Sequence, residues 1–158
     1  MIRVLFVCLG NICRSPTAEG ILRARLEREG LSRRVEVDSC GTGDYHLGDS
    51  PDERAIREAA GRGVAIDALA ARQLQPEDYA QFDYILAMDA RNLAVLEERR
   101  PPSAKAHVAL LTSFADPHRG SEVPDPYCGD DTHFTRVYEL IESCCDGLLV
   151  HLRRQHAL

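Results

Sequence analysis

Ile2-Arg-Val-Leu-Phe-Val-Cys8-Leu-Gly-Asn-Ile-Cys-Arg14-Ser-Pro16 stands almost at the start of the chain, and its first half decides the fold. Ile2 to Val7 is a short apolar run rich in branched residues, the pattern of a buried strand. It runs directly into Gly10 and Asn11, the residue types most tolerant of left-handed backbone. Ser15 then suits a helix cap and Pro16 the first helical turn. A strand, a tight loop and a helix start are thus written into one segment.

The pattern recurs along the chain. Val35 to Val37, Tyr84 to Met88 and His107 to Leu111 are further apolar strand candidates. Between them, helical periodicity covers Ala18 to Glu29, roughly Glu53 to Gly63, and Ala90 to Arg99, the last stopped by Pro101-Pro102. From Thr132 to Arg154, apolar residues from Phe134 to Leu152 recur at steps of three and four, which predicts a long terminal helix against the core. Four strands alternating with helices predict an α/β fold: one three-layer domain over residues 1–158, its parallel sheet covered by helices on both faces. Ligands of such folds sit beyond the carboxyl ends of the strands. Two loops leave from that end, Gly41 to Pro51 and Ala115 to Asp131.

At 158 residues the chain buries enough surface to need no disulfide framework. Hydrophobic residues at 44% and charged residues at 28% fit a globular domain, and no apolar stretch approaches bilayer length, so no membrane association is expected. The start of the chain lacks the apolar core of a signal peptide, and the six cysteines are therefore read as reduced thiols in a cytoplasmic protein. A net charge of −6 argues against a nucleic acid partner, so any anion site must be local. No Cys-x2-Cys or His-x3-His pair is present, and no metal site is expected.

The segment from Cys8 to Arg14 is where such an anion site could lie. The Cys-x5-Arg spacing alone is weak, since roughly 0.7 such pairs are expected by chance in a chain this rich in Cys and Arg. Its place between a strand end and a helix start gives it weight. Inward-turned amides of residues 9 to 13 would cradle an anion, and Arg14 would add a guanidinium fork. That positive field favours a thiolate at Cys8, the form in which cysteine is a nucleophile. A lone Cys after a strand is otherwise usually core filler. Phosphate ester cleavage also needs a proton for the leaving oxygen, and Asp125 in Val123-Pro-Asp-Pro-Tyr127 is the candidate acid, held extended by Pro126.

The stretch Val-Cys-Leu-Gly-Asn-Ile-Cys-Arg-Ser-Pro at 7 to 16, together with Asp-Pro-Tyr at 125 to 127, resembles the two signatures of the low-molecular-weight protein tyrosine phosphatases. Ser39, Gly41-Thr-Gly43, Arg72-Gln-Leu74 and Asp83 to Asp89 resemble that family's intervening segments, in the same order. The resemblance implies a four-stranded parallel sheet and hydrolysis of phosphotyrosine, in a protein or a small aryl phosphate, without metal or cofactor. It implies Cys8 as nucleophile, Arg14 as phosphate clamp and Asp125 as general acid. Leu9, Gly10, Asn11, Ile12, Cys13 and Ser15 would form the phosphate loop, with Tyr45, Tyr127 and Leu9 at its mouth. Asp89 would support Arg14 or cap the next helix. Apart from the resemblance, an exposed thiolate at Cys8 is the first group to reach sulfenic acid, and a loop curled around one phosphate would let Cys13 protect it as a disulfide partner, unless Cys13 only packs beneath the loop. A monomer or weak dimer is expected.

Two positions depart from the pattern. Leu69 stands where many relatives carry a His that braces the loop Asn, and Cys128 replaces the second Tyr of the usual Asp-Pro-Tyr-Tyr. An arsenate reductase on the same scaffold is disfavoured, because no Cys lies between Cys40 and Cys128 and an acid that a reductase would not need is present.

Overall fold

The first strand becomes the centre of the sheet. In a computed structural model that describes residues 1–158, β1 (Ile2–Cys8) lies between β2 (Val35–Gly41) and β3 (Tyr84–Ala87), and β4 (His107–Leu110) pairs with β3. All four strands are parallel, in the order β2-β1-β3-β4. Alternation along β1 divides the core. Val4, Phe6 and Cys8 face a large cluster built with α1 (Arg14–Arg28), α2 (Glu53–Gly61) and α5 (Asp131–His156). Leu5 and Val7 face a smaller one with Tyr79 of α3 (Asp78–Gln81) and Leu96 of α4 (Ala90–Arg99). Burial on both faces is why the strand reads as an unbroken apolar run.

The chain steps outward from β1 to β2 and then returns to β3 and β4 on the other side, so the connections diverge between β1 and β3. Loops leaving the carboxyl ends of those two strands open a crevice there. The segment after Cys8 and the residue Asp89 after β3 both lie at this place. No helix is long and apolar enough to cross a membrane.

Some boundaries differ from the sequence expectation. Helix α1 starts at Arg14, four residues earlier than its apolar periodicity, and Ser15 does not cap it: Cys13 is the N-cap and no side chain caps the helix. Ser15 lies inside the first turn, where its hydroxyl serves the neighbouring loop. Strand β2 runs on through Asp38-Ser39-Cys40-Gly41, whose mixed polarity hid it, because β1 pairs with it through to Cys8↔Gly41. The four-residue α3 was not expected at all. Strand β4 ends at Leu110, one residue short of the expected Leu111, which instead opens a single 3-10 turn, Leu111–Phe114.

Candidate active site

The Cys8–Arg14 loop is held in shape from outside. Thr42 N–H donates to Cys8 O at 2.9 Å and Gly43 N–H to Leu9 O at 2.9 Å, so the end of β2 wraps the loop. Gly41 permits that approach, because a Cβ there would meet Leu9 O at 2.7 Å. Asn11 takes the left-handed conformation, with φ 57°, at the loop's turn. None of the backbone N–H groups of residues 9–13 finds an acceptor within the protein.

Asn11 is fully braced despite Leu69, which packs against the core. Its Oδ1 accepts from Arg72 N–H at 3.0 Å, and its Nδ2 donates to Ser15 Oγ at 2.8 Å and Ser39 Oγ at 3.0 Å. The backbone of Arg72 thus braces Asn11 with no histidine at position 69. Ser39 in turn donates to the buried Glu19 carboxylate at 2.6 Å, and Glu19 pairs with Arg23 at 2.5 Å. The Cys8 Sγ lies 3.0 Å from Ser15 Oγ.

Arg14 opens α1 and is only 2% exposed. Its Nη1 donates to Asp89 Oδ2 at 2.6 Å and to Val123 O at 3.0 Å, and its Nη2 lies 3.6 Å from Asp125 Oδ2. Burial works against the guanidinium charge. The Cys8 sulfur, the hydrogen bond donated to Asp89 and the Asp125 carboxylate outweigh it and leave the Arg14 pKa above its ordinary value. Asp89 performs both functions considered for it, since its Oδ1 also accepts from Asn92 N–H at 2.8 Å and caps α4. The Arg14 Nε is buried without a partner.

These groups surround a cavity of about 170 Å³, lined by Cys8, Leu9, Gly10, Ile12, Cys13, Arg14, Tyr45, His46, Asp125 and Tyr127. Every residue proposed from sequence to touch a ligand is on this wall except Asn11 and Ser15, which are buried behind it. Asp125 is 43% exposed at the rim, with Tyr127 N–H donating to its Oδ1 at 3.1 Å. Leu9, Tyr45 and Tyr127 are exposed at the mouth. Cys13 is buried, and desolvation, with Asp52 adding to it, pushes its thiol pKa well up. A larger cavity of about 450 Å³, around Tyr79 and Lys105, lies at the opposite, amino end of β3 and β4 and holds none of this chemistry.

His46 and Glu19 were missed in the sequence. His46 sits in the flagged loop after β2 and packs on the cysteine loop so closely that a Cβ on Gly10 would lie 3.0 Å from its Cδ2. Glu19 was readable only as the partner of Arg23 at spacing four on one helix face, and its contact with Ser39 arises only in the fold.

A model of the low molecular weight phosphotyrosine protein phosphatase family matches residues 3–158. The chain is 38% identical to the low molecular weight protein-tyrosine-phosphatase YfkJ of Bacillus subtilis over 158 residues, which cover 100% of both chains. A protein tyrosine phosphatase from Entamoeba histolytica, crystallised with Hepes in the active site, superposes with a TM-score of 0.93 at 36% identity, covering 98% of this chain and 99% of that one. An arginine phosphatase from Drosophila superposes with a TM-score of 0.89 at 32% identity, covering 97% and 98%. With matches of this length and identity, and with the cysteine loop and the acid segment meeting at one cavity, the chain belongs to the low molecular weight phosphotyrosine protein phosphatase family.

Proposed function

We propose that this protein hydrolyses aryl phosphate monoesters, phosphotyrosine in proteins above all, through a phosphocysteine intermediate on Cys8 and without a metal ion. The observation that carries the reading is the set of unpartnered donors beside one sulfur. The amides of residues 9–13 and the buried Arg14 Nε have no acceptor in the protein, and they belong to the loop that holds Cys8. Buried donors without partners are costly, so such a set is built for an anion.

The chemistry follows from the placement. The Cys8 thiolate attacks phosphorus in line, the bond to the aryl oxygen breaks, and Asp125 gives that oxygen its proton. Arg14 and the loop amides hold the equatorial oxygens as charge spreads over them. The Asp125 carboxylate then takes a proton from water, which attacks the phosphocysteine and releases phosphate and the Cys8 thiolate. Ser15 donates to the returning thiolate.

An aryl group suits the mouth, where Leu9, Ile12, Tyr45 and Tyr127 offer apolar and aromatic surface. The likeness to an arginine phosphatase raises phosphoarginine as a second substrate. A guanidinium leaving group presents several N–H donors, and Asp125 is the one acidic side chain on the wall to receive them. Phosphotyrosine is therefore favoured. A reducing compartment such as the cytoplasm fits a reaction that needs a free Cys8 thiol.

The test is turnover of p-nitrophenyl phosphate and of matched phosphotyrosyl, phosphoseryl and phosphoarginyl peptides, with and without chelator. Phosphotyrosine hydrolysis that survives chelation, and that Cys8→Ser abolishes with the fold intact, is expected. Turnover by the Ser variant within about tenfold of the parent would eliminate the cysteine mechanism. Faster release from phosphoarginine would reassign the substrate.

A further inference from the structure

The segment that carries Asp125 has few ties to the rest of the protein. Between Pro124 and Asp130 the backbone makes local hydrogen bonds, such as Gly129 N–H to Pro126 O at 2.8 Å, and Asp125 itself touches Arg14 only at 3.6 Å. The hydrogen bonds to this backbone from the body of the fold come from one side chain. Arg54 donates from Nη2 to Tyr127 O at 2.9 Å and from Nη1 to Gly129 O at 3.0 Å.

Arg54 is itself fixed on the other side. Its Nε and Nη2 form a fork on the Asp52 carboxylate at 3.0 and 2.9 Å, and Asp52 also caps α2 by accepting from Arg54 N–H at 2.8 Å. The backbone N–H of Asp52 donates to Ile12 O at 2.8 Å, which ties the same unit to the cysteine loop. The guanidinium lies 4.4 Å over the Phe134 ring at the start of α5 and 5.8 Å over Tyr127. One planar cation thus joins the phosphate loop, through Asp52, to the segment beyond Asp125.

We propose that Arg54 is a positioning residue that sets Asp125 at its distance from Cys8, acting through Tyr127, whose N–H holds the Asp125 carboxylate and whose carbonyl Arg54 holds. The inference rests on the reading of Asp125 as general acid. Arg54 does not line the cavity, and the hydrogen bonds it makes go to Asp52 and the two carbonyls, so it touches neither phosphate nor leaving group. A lysine could keep the charge but not the fork that reaches three partners at once.

The experiment compares kcat on a series of substituted phenyl phosphates for the parent, Arg54→Lys, Arg54→Ala, Asp125→Asn and the double variant Arg54→Lys/Asp125→Asn. Both Arg54 variants are expected to lose at least about tenfold more on phenyl phosphate than on p-nitrophenyl phosphate, because only the poor leaving group needs the proton. Inhibition by inorganic phosphate should stay within about twofold of the parent, since Arg54 itself contacts no phosphate-binding group and the Asp52 backbone tie to Ile12 O remains. On phenyl phosphate the double variant should be no slower than Asp125→Asn by more than about twofold, as expected for residues acting as a unit. An equal loss across the series, or full multiplication of the two losses, would reduce Arg54 to a fold-stabilising residue and overturn the proposal. Selectivity in Asp125→Asn without selectivity in the Arg54 variants sinks this inference alone. Absence of selectivity in both sinks the acid assignment beneath it.

Discussion

The Ser15 hydroxyl lies 3.0 Å from the Cys8 sulfur, and its proton is left with no better acceptor. Ser39 gives its own proton to Glu19 and so can only accept from Asn11. The second hydrogen of the Asn11 amide occupies a lone pair of Ser15 Oγ. What remains to Ser15 is a donor, with Cys8 at 3.0 Å and Cys40 O at a longer 3.4 Å. A chain of donors fixed by one buried carboxylate therefore ends on the nucleophile.

The consequence falls on the second chemical step, in which charge returns to sulfur. A hydrogen bond to a charged group contributes about 1.5–3 kcal/mol, so Ser15→Ala should slow phosphocysteine breakdown by about 10- to 100-fold while sparing its formation more. Rapid mixing with p-nitrophenyl phosphate should then give a burst of nitrophenol, and quenching should trap phosphate on Cys8. A reduced rate with no burst and no trapped intermediate would place Ser15 elsewhere in the reaction.

Glu19 offers a way to separate acceptor from charge. Glu19→Gln keeps an oxygen for Ser39 but loses the Arg23 ion pair, whereas Glu19→Ala frees the Ser39 hydroxyl altogether. Both variants should be less stable in urea, the Ala variant by about 1.5–3 kcal/mol. Only the Ala variant should lose substantial kcat. Equal losses in kcat would show that the carboxylate charge, and not the orientation it imposes, matters to Cys8.

Much of this was legible in the sequence because local chemistry and fold agreed. The apolar run to Val7, the turn residues Gly10 and Asn11 and the helix behind them specify the loop before any contact is known. The brace on Asn11 was not legible. It comes from the backbone of Arg72, and a main-chain N–H leaves no trace in residue type. Ser15 was misread as a cap because its type suits one, although its hydroxyl is spent on Asn11 and Cys8. Arg54 looks like an ordinary charge on the exposed face of a helix, and only the fold brings Tyr127 O and Gly129 O to it.

Asp125→Asn should cost most where the leaving group is poorest. On phenyl phosphate the loss should lie within the roughly 10² to 10⁴ that a positioned acid supplies, and on esters of acidic phenols it should shrink toward the parent. Plotting rate against leaving-group acidity reads this directly. A uniform loss along the series would remove Asp125 from the acid role.

Acid should weaken the far end of the molecule first. The Tyr84 hydroxyl meets His156 Nε2 at 2.9 Å and His151 Nε2 at 3.3 Å, with the rings of His107 and Phe114 packed beside His151. Burial, then the neighbouring His107 and His156, holds the His151 pKa below its ordinary value. Its protonated form is thus favoured in the unfolded chain, where the pKa is about 6.5. The contribution of His151 is fully present above that pH and is lost as pH falls through it toward the depressed folded value. His151→Phe keeps a ring against Phe114 and should lose less stability than the parent between about pH 8 and about pH 5. Parallel curves for the two proteins would clear His151 of any part in acid destabilisation.

Peroxide should inactivate the enzyme reversibly through a bond between Cys8 and Cys13, which line the same cavity. The Cys8 thiolate is oxidised to the sulfenic acid while peroxide is reduced to hydroxide. The Cys13 sulfur then attacks that sulfur, the S–S bond forms, and the sulfenic oxygen leaves as water with the Cys13 proton. The buried Cys13 thiol, its pKa raised, is a reluctant partner, so this second step should be the slow one. A dimedone adduct on Cys8 should accordingly be caught early and fade as the disulfide accumulates. Inorganic phosphate, seated over Cys8, should protect against both. Cys13→Ser should lose activity at the parent's initial rate but regain less after thiol treatment, because its sulfenic acid goes on to irreversible acids. Recovery as full as the parent's, or mass spectra without a Cys8–Cys13 link, would leave Cys13 as packing beneath the loop and nothing more.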